Sequence, residues 1–119
     1  MKIYLIMPVR NIEQDLLTKI SQHVARLEEN GHEVHFPPRD APQDDPTGRV
    51  ICYTHLTAMR ECDEVHVIWD DTSKGSHFDL GMAYALNKPI VAVHTLHPVP
   101  AGKSYWQAVM NTRYCFVSK

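Results

Sequence analysis

EVHVIWDDTSKGSHFDLGMAYALNKPIVAVH, residues 64–94, is the stretch that decides the fold. EVHVIW (64–69) is a short run rich in β-branched and aromatic residues, the composition of a buried strand. DDTSKGS (70–76) breaks it with acidic residues, hydroxyls and a glycine, which predicts a turn. HFDLGMAYALNK (77–88) has the helix-forming residues and length of a helix, and PIVAVH (89–94) returns to strand character. Strand, turn, helix, strand is the unit of a parallel sheet, because parallel neighbours need a crossover longer than a hairpin.

The rest of the chain repeats that alternation. Upstream, KIYLIM (2–7) predicts a first strand. A helix follows with Ile12, Leu16, Ile20, Val24 and Leu27 at helical spacing, capped by Asn11 with Gln14 completing a capping box, and ended by Asn30-Gly31. EVHF (33–36) predicts a second strand. PPRDAPQDDPTG (37–48) has no periodicity and predicts a long loop. A second helix is expected from Arg49 to about Glu61, with Ile51, His55, Ala58, Met59 and Cys62 on one face. Downstream, Pro98 and Pro100 break the chain, SYWQAVMN (104–111) predicts a short helix and RYCFVS (113–118) a last strand. The expected architecture is a single-domain α/β, flavodoxin- or Rossmann-like three-layer sandwich spanning residues 1–119, with a roughly five-stranded parallel sheet. Ligands of such sheets sit beyond the carboxyl ends of the strands, here at loops 7–11, 37–48, 70–76 and 94–103.

Composition narrows the function classes. The 119 residues carry a net charge of −2, which gives no basic field and argues against nucleic acid as a partner. No apolar run approaches the roughly 18 residues of a membrane span, and MKIYLIMPVRN reads as a first strand, not a signal peptide. Cys52, Cys62 and Cys115 are odd in number and scattered, so the expectation is a reducing, cytoplasmic setting. His32-x-x-His35 and His94-x-x-His97 lack acidic or thiol partners at ligand spacing and read as solvated histidines; nothing demands a metal or organic cofactor.

Asp79 has two readings on pattern alone. Ser76-x-x-Asp79 matches a capping box ahead of an apolar helix, and a carboxylate in the first turn suits the helix dipole. Against that stand its neighbours. Ser73, Lys74, Gly75 and Ser76 offer hydroxyls and backbone N–H groups at a helix N-terminus, an anion site. Arg10, just after Pro8-Val9, sends a guanidinium toward the same sheet edge. Together they point to a small anionic ligand.

IYLIMPVRN followed by CDEVHVIWDDTSKGSHFDLGMAYALNKPIVAV resembles the nucleoside 2-deoxyribosyltransferase family, whose relatives include nucleoside 5′-monophosphate N-glycosidases. The resemblance implies cleavage or transfer at the N-glycosidic bond of a small nucleoside or nucleotide. It places Asp79 at the position of the family's glutamate nucleophile, Tyr4 where a tyrosine orients that carboxylate, and Ser73 and Arg10 where the 5′-phosphate is held. His55 stands where the family has an aspartate that handles the proton of the leaving base. Aspartate for glutamate and histidine for aspartate are the two departures. Pro8, Gly75 and Ser76 fall in the substrate-binding loops, and Arg39 and Asp40 are candidates for contact with base or sugar. Asp63 reads as a cap or turn acceptor, Trp69 as core, and Tyr105 and Trp106 as interface or site neighbours. Family members assemble as dimers or larger, so a homo-oligomer is expected, with Met59 and the second helix at the interface. A non-catalytic nucleotide sensor of the same fold is the alternative. A flavin protein ranks last, because the first turn lacks the expected hydroxyl-rich loop.

Overall fold

The computed structural model describes residues 1–99, 101–111 and 115–117. Strand β1 (Lys2–Ile6) is flanked by β2 (Glu33–His35) on one side and by β3 (Glu64–Trp69), the central strand, on the other. The sheet continues through β4 (Ile90–Thr95) to β5 (Cys115–Val117), giving five parallel strands in the order β2-β1-β3-β4-β5. The last strand was expected over 113–118; residues 113, 114 and 118 lie outside the described residues, as does Pro100. Strand order reverses between β1 and β3, the position beyond whose carboxyl ends ligands of such sheets generally bind.

Alternation of side chains along each strand builds two cores, one per face. Tyr4, Ile6, Val65, Val67 and Trp69 pack against Met59 of α3 (Arg49–Glu61), Leu80 and Ala83 of α4 (Lys74–Ala85), and Trp106 and Val109 of α5 (Tyr105–Met110). On the opposite face Ile3, Leu5, Met7, Val34 and Ile68 pack against Ile20 and Val24 of α1 (Gln14–Glu29). Helices therefore cover both faces, three on one and α1 on the other. Met59 is fully buried in the first core, so it is not the interface residue expected; a methionine on the sheet-facing stripe of α3 fills the space between helix and strand. Trp106 likewise belongs to the core, stacked on buried Trp69 at 4.8 Å, whereas Tyr105 is exposed.

Several boundaries differ from expectation for local reasons. The Asn11–Gln14 capping box does not form: Glu13 is the N-cap and makes no side-chain cap bond, while Asn11 adopts φ 56° in the turn before it. Pro37–Asp40 forms a single-turn helix, α2, inside the expected loop, consistent with prolines preset for a first turn. Both α1 and α4 end in the same reversed turn. Gly31 (φ 90°) and Asn87 (φ 54°) take the left-handed position, and the next N–H, of His32 and of Lys88, closes on the carbonyl of Leu27 and of Ala83. The Lys88 ammonium then reaches back to donate to the carbonyls of Arg60, 2.9 Å, and Cys62, 2.8 Å, at the end of α3. Asp63 accepts from the Lys2 N–H at 2.8 Å and so ties the start of β1 to the start of β3.

Candidate active site

Helix α4 starts at Lys74, earlier than the turn composition suggested. Ser73 is its N-cap, its Oγ accepting from the Ser76 N–H at 3.2 Å. This removes Asp79 from the first turn and from any capping role. Five residues beyond Lys74, Asp79 lies on the helix stripe that faces the sheet, with Ser76 one turn before it and Ala83 one turn after, all buried.

There Asp79 meets β1. The Tyr4 hydroxyl donates to Asp79 Oδ2 at 2.9 Å, across 75 residues of sequence. The carboxylate is only 7% exposed, and burial pushes its pKa up to about 7; the Tyr4 hydrogen bond opposes that rise by favouring the ionised form. Burial, and next the Asp79 charge, push the Tyr4 phenol far above its usual value, so Tyr4 remains a donor at every physiological pH. A carboxyl group poised near neutrality beside a permanent donor is a group that chemistry can use as acid, base or nucleophile.

The same tyrosine ring touches two histidines. His35, the last residue of β2, lies 4.9 Å from it between ring centroids, and His55, from α3, lies 5.9 Å away edge-on. The two imidazoles share a hydrogen bond, His35 Nε2 to His55 Nδ1 at 3.0 Å. Burial, and then the neighbouring His35, push His55 down to about 4, so it is neutral at pH 7. Burial also lowers His35, against the pull of Asp40. His35 is thus no solvated histidine; His32 contacts the N-terminal amine at 3.0 Å, while His94 and His97 are exposed as expected. The sequence offered no signal for this pairing, since neither spacing nor periodicity links residues 35 and 55.

The remaining expected residues divide. Pro8 is buried just after β1, and Arg10 is exposed in the turn that follows. Gly75 is exposed in the first turn of α4, with open space where a Cβ would stand. Ser76 is buried and its Oγ has no hydrogen-bond partner among the described residues. Arg39 does not approach Asp79 through any contact. Its guanidinium is held by Glu28 (3.0 Å), Asp40 (2.8 Å) and the Val34 carbonyl (2.9 Å), which leaves little of it to offer a base or sugar. These groups border a depression of about 350 Å³, with Lys2, His35 and Cys62 among its walls. Asp79, Tyr4 and His55 do not line it, so the hollow and the poised carboxyl are different places. Among the described residues no cluster of three or more His, Cys, Asp or Glu side chains is placed to hold a metal, and no helix is long and apolar enough to cross a membrane.

The family model for nucleoside 2-deoxyribosyltransferase matches residues 3–103. Among solved structures, the chain is similar to a Clostridium botulinum CMP N-glycosidase, with TM-score 0.68, 18% identity, and 99% of this chain and 88% of that one covered. It is also similar to a 2-deoxyribosyltransferase from the psychrotolerant Bacillus psychrosaccharolyticus, with TM-score 0.66, 21% identity, and 96% and 93% covered. A conserved protein from Enterococcus faecalis V583 matches with TM-score 0.65, 18% identity, and 98% and 80% covered. At these identities the likeness to the solved structures is one of fold. No curated protein matches the chain by sequence.

Proposed function

The chain belongs to the nucleoside 2-deoxyribosyltransferase family, and on that premise we propose that it cleaves, or transfers the sugar across, the N-glycosidic bond of a small nucleoside or nucleoside 5′-monophosphate. The observation that carries the proposal is the buried Asp79 carboxyl held by the Tyr4 hydroxyl at 2.9 Å. Ionised Asp79 attacks C1′ as the C1′–N bond breaks and the base departs with the bonding electrons. The carboxylate offsets the oxocarbenium-like charge and forms a glycosyl ester. Water or a second base then attacks C1′ and releases Asp79. Tyr4 fixes the attacking oxygen's partner and favours its ionised form. His55, neutral at pH 7, serves the departing base as a hydrogen-bonding group, not as an imidazolium acid.

Ser73, the N–H groups opening α4, and Arg10 receive the 5′-phosphate. Ser73 precedes Asp79 by six positions, about 9 Å along the helix axis, a span that a sugar with its phosphate bridges once contact distances are added. The active unit is a homo-oligomer. Exposed Tyr53 on α3, with Phe78 and Tyr84 on α4, supplies apolar area for a second copy, and light scattering after gel filtration reads the mass. The exposed free thiol of Cys52 fits a cytoplasmic protein.

One observation favours the alternative, a nucleotide-binding protein without turnover: burial disfavours the ionised form of Asp79, the form that would attack. Incubation with a panel of nucleosides and 5′-monophosphates, followed by chromatography for free base, separates the two. Base release lost in Asp79→Ala supports the enzyme; tight binding with no base freed from any substrate supports the sensor.

A further inference from the structure

We propose that Ser76 is a positioning residue: as Asp79 ionises, the Ser76 hydroxyl turns onto its carboxylate and becomes a second donor beside Tyr4. This rests on the reading of Asp79 as the group that attacks C1′.

Ser76 is 2% exposed, and its Oγ has no hydrogen-bond partner among the described residues. A buried hydroxyl left in that state is unfavourable, and native folds keep few such groups. Its place on the helix is fixed, because its own N–H donates to Ser73 Oγ at 3.2 Å. Three residues on, Asp79 occupies the same buried stripe of α4. Side chains three apart on a helix have Cβ atoms about 5–6 Å from each other. Helical side chains also lean toward the N-terminus, so the Asp79 carboxyl is carried back over the turn that holds Ser76. Rotation about one bond, between staggered positions, is then enough to bring the hydroxyl to the carboxylate.

The ionised carboxyl has room for this donor. Its two oxygens offer roughly four lone-pair positions. Tyr4 takes one on Oδ2, so a second donor still leaves a lone pair for C1′. The protonated carboxyl asks for less, since its own hydrogen occupies one oxygen. The hydroxyl is therefore idle while Asp79 is neutral and engaged once it is charged, which favours the attacking form. The other titratable groups around the carboxyl are Tyr4 and, through its ring and phenol, His35, His55, Cys52 and Cys62. Strand β3 and helix α5 present apolar side chains to this core.

The test compares the full-length protein with Ser76→Ala, and with Ser76→Thr, which returns the hydroxyl. Urea unfolding from pH 4 to 8 needs no substrate. The alanine protein should match or exceed the unaltered one at pH 4, where it loses only an unpartnered hydroxyl. At pH 8 it should fall below, because ionised Asp79 has lost a donor. Nuclear magnetic resonance of the ¹³C-labelled Asp79 carboxyl should show its titration moved up by about one pH unit in the alanine protein. The rise of kcat/KM for base release should move by the same amount, and threonine should bring it back; if threonine fails to fold, the carboxyl titration of the alanine protein decides. A stability difference equal at pH 4 and pH 8, or an unmoved carboxyl titration, overturns the assignment. So does a raised KM with an unmoved profile, which would give the hydroxyl to the sugar. If the unaltered protein frees no base, the functional reading fails while unfolding and the carboxyl titration still decide the role of Ser76.

Discussion

Replacing Asp79 by Asn should make the protein more stable at pH 8 than the unaltered chain, relative to their difference at pH 4. The folded protein holds the Asp79 proton up to about pH 7, whereas the unfolded chain releases it near 3.8. A folded state that binds a proton more tightly than the unfolded one is favoured in acid. The contribution is full below 3.8 and is lost as pH climbs through about 7. The gap is about three pH units, and at roughly 1.36 kcal/mol per unit it amounts to about 4 kcal/mol. Against a typical total of roughly 5–15 kcal/mol, that is a large fraction. Asparagine keeps an oxygen for the Tyr4 hydroxyl but has no proton to lose, so its curve lacks this fall. His35 and His55, both favoured neutral in the fold, act in the opposite direction by losing stability as pH drops below about 6.5; they are common to both proteins and cancel in the difference. Urea unfolding at half-unit steps from pH 4 to 8 measures it. With a slope of about 2 kcal/mol per M, the difference in midpoint should grow by about 2 M across the range. Parallel curves would refute the burial argument, and with it the claim that Asp79 is poised near neutrality.

Three further outcomes follow from the same contacts. Base release per unit kcat/KM should rise as pH climbs through about 7, because the attacking form of Asp79 is the ionised one; a profile flat from pH 5 to 8 would contradict this. Tyr4→Phe removes a hydrogen bond that favours that ionised form, so the rise should move to higher pH, with about 1 kcal/mol lost in stability; an unmoved profile, read in the same assay, counts against Tyr4 as orienter. Ser73→Ala should destabilise by about 1 kcal/mol through loss of the α4 cap and raise KM for 5′-monophosphates several-fold. Equal rises in KM for nucleosides and monophosphates would remove Ser73 from the phosphate site.

The fold was legible because strand and helix periods are local, and residues 64–94 display both in sequence. The α4 boundary was not, because Ser73 and Ser76 each stand three residues before another candidate partner, and local pattern cannot choose between them. Packing chose: starting the helix at Lys74 turns Asp79 inward to Tyr4, whereas a start at His77 would have left it as a cap. The Tyr4–Asp79 pair was accessible through family resemblance, but not from spacing, since 75 residues separate the two. His35 was beyond reach for the same reason, with no resemblance to supply it. Arg39 looked available because a loop was expected, and the turn of α2 instead folds it onto Glu28 and Asp40.

The Lys88 ammonium fastens the far end of α3 to the reversed turn that closes α4. The two helices that carry His55 and Asp79 are thereby riveted at a shared hinge pin, so neither can slide lengthwise without dragging the other. On the proposed mechanism, with a side chain one methylene shorter than the family's glutamate, advancing α4 alone would break these two contacts, so the sugar would have to travel to the carboxylate.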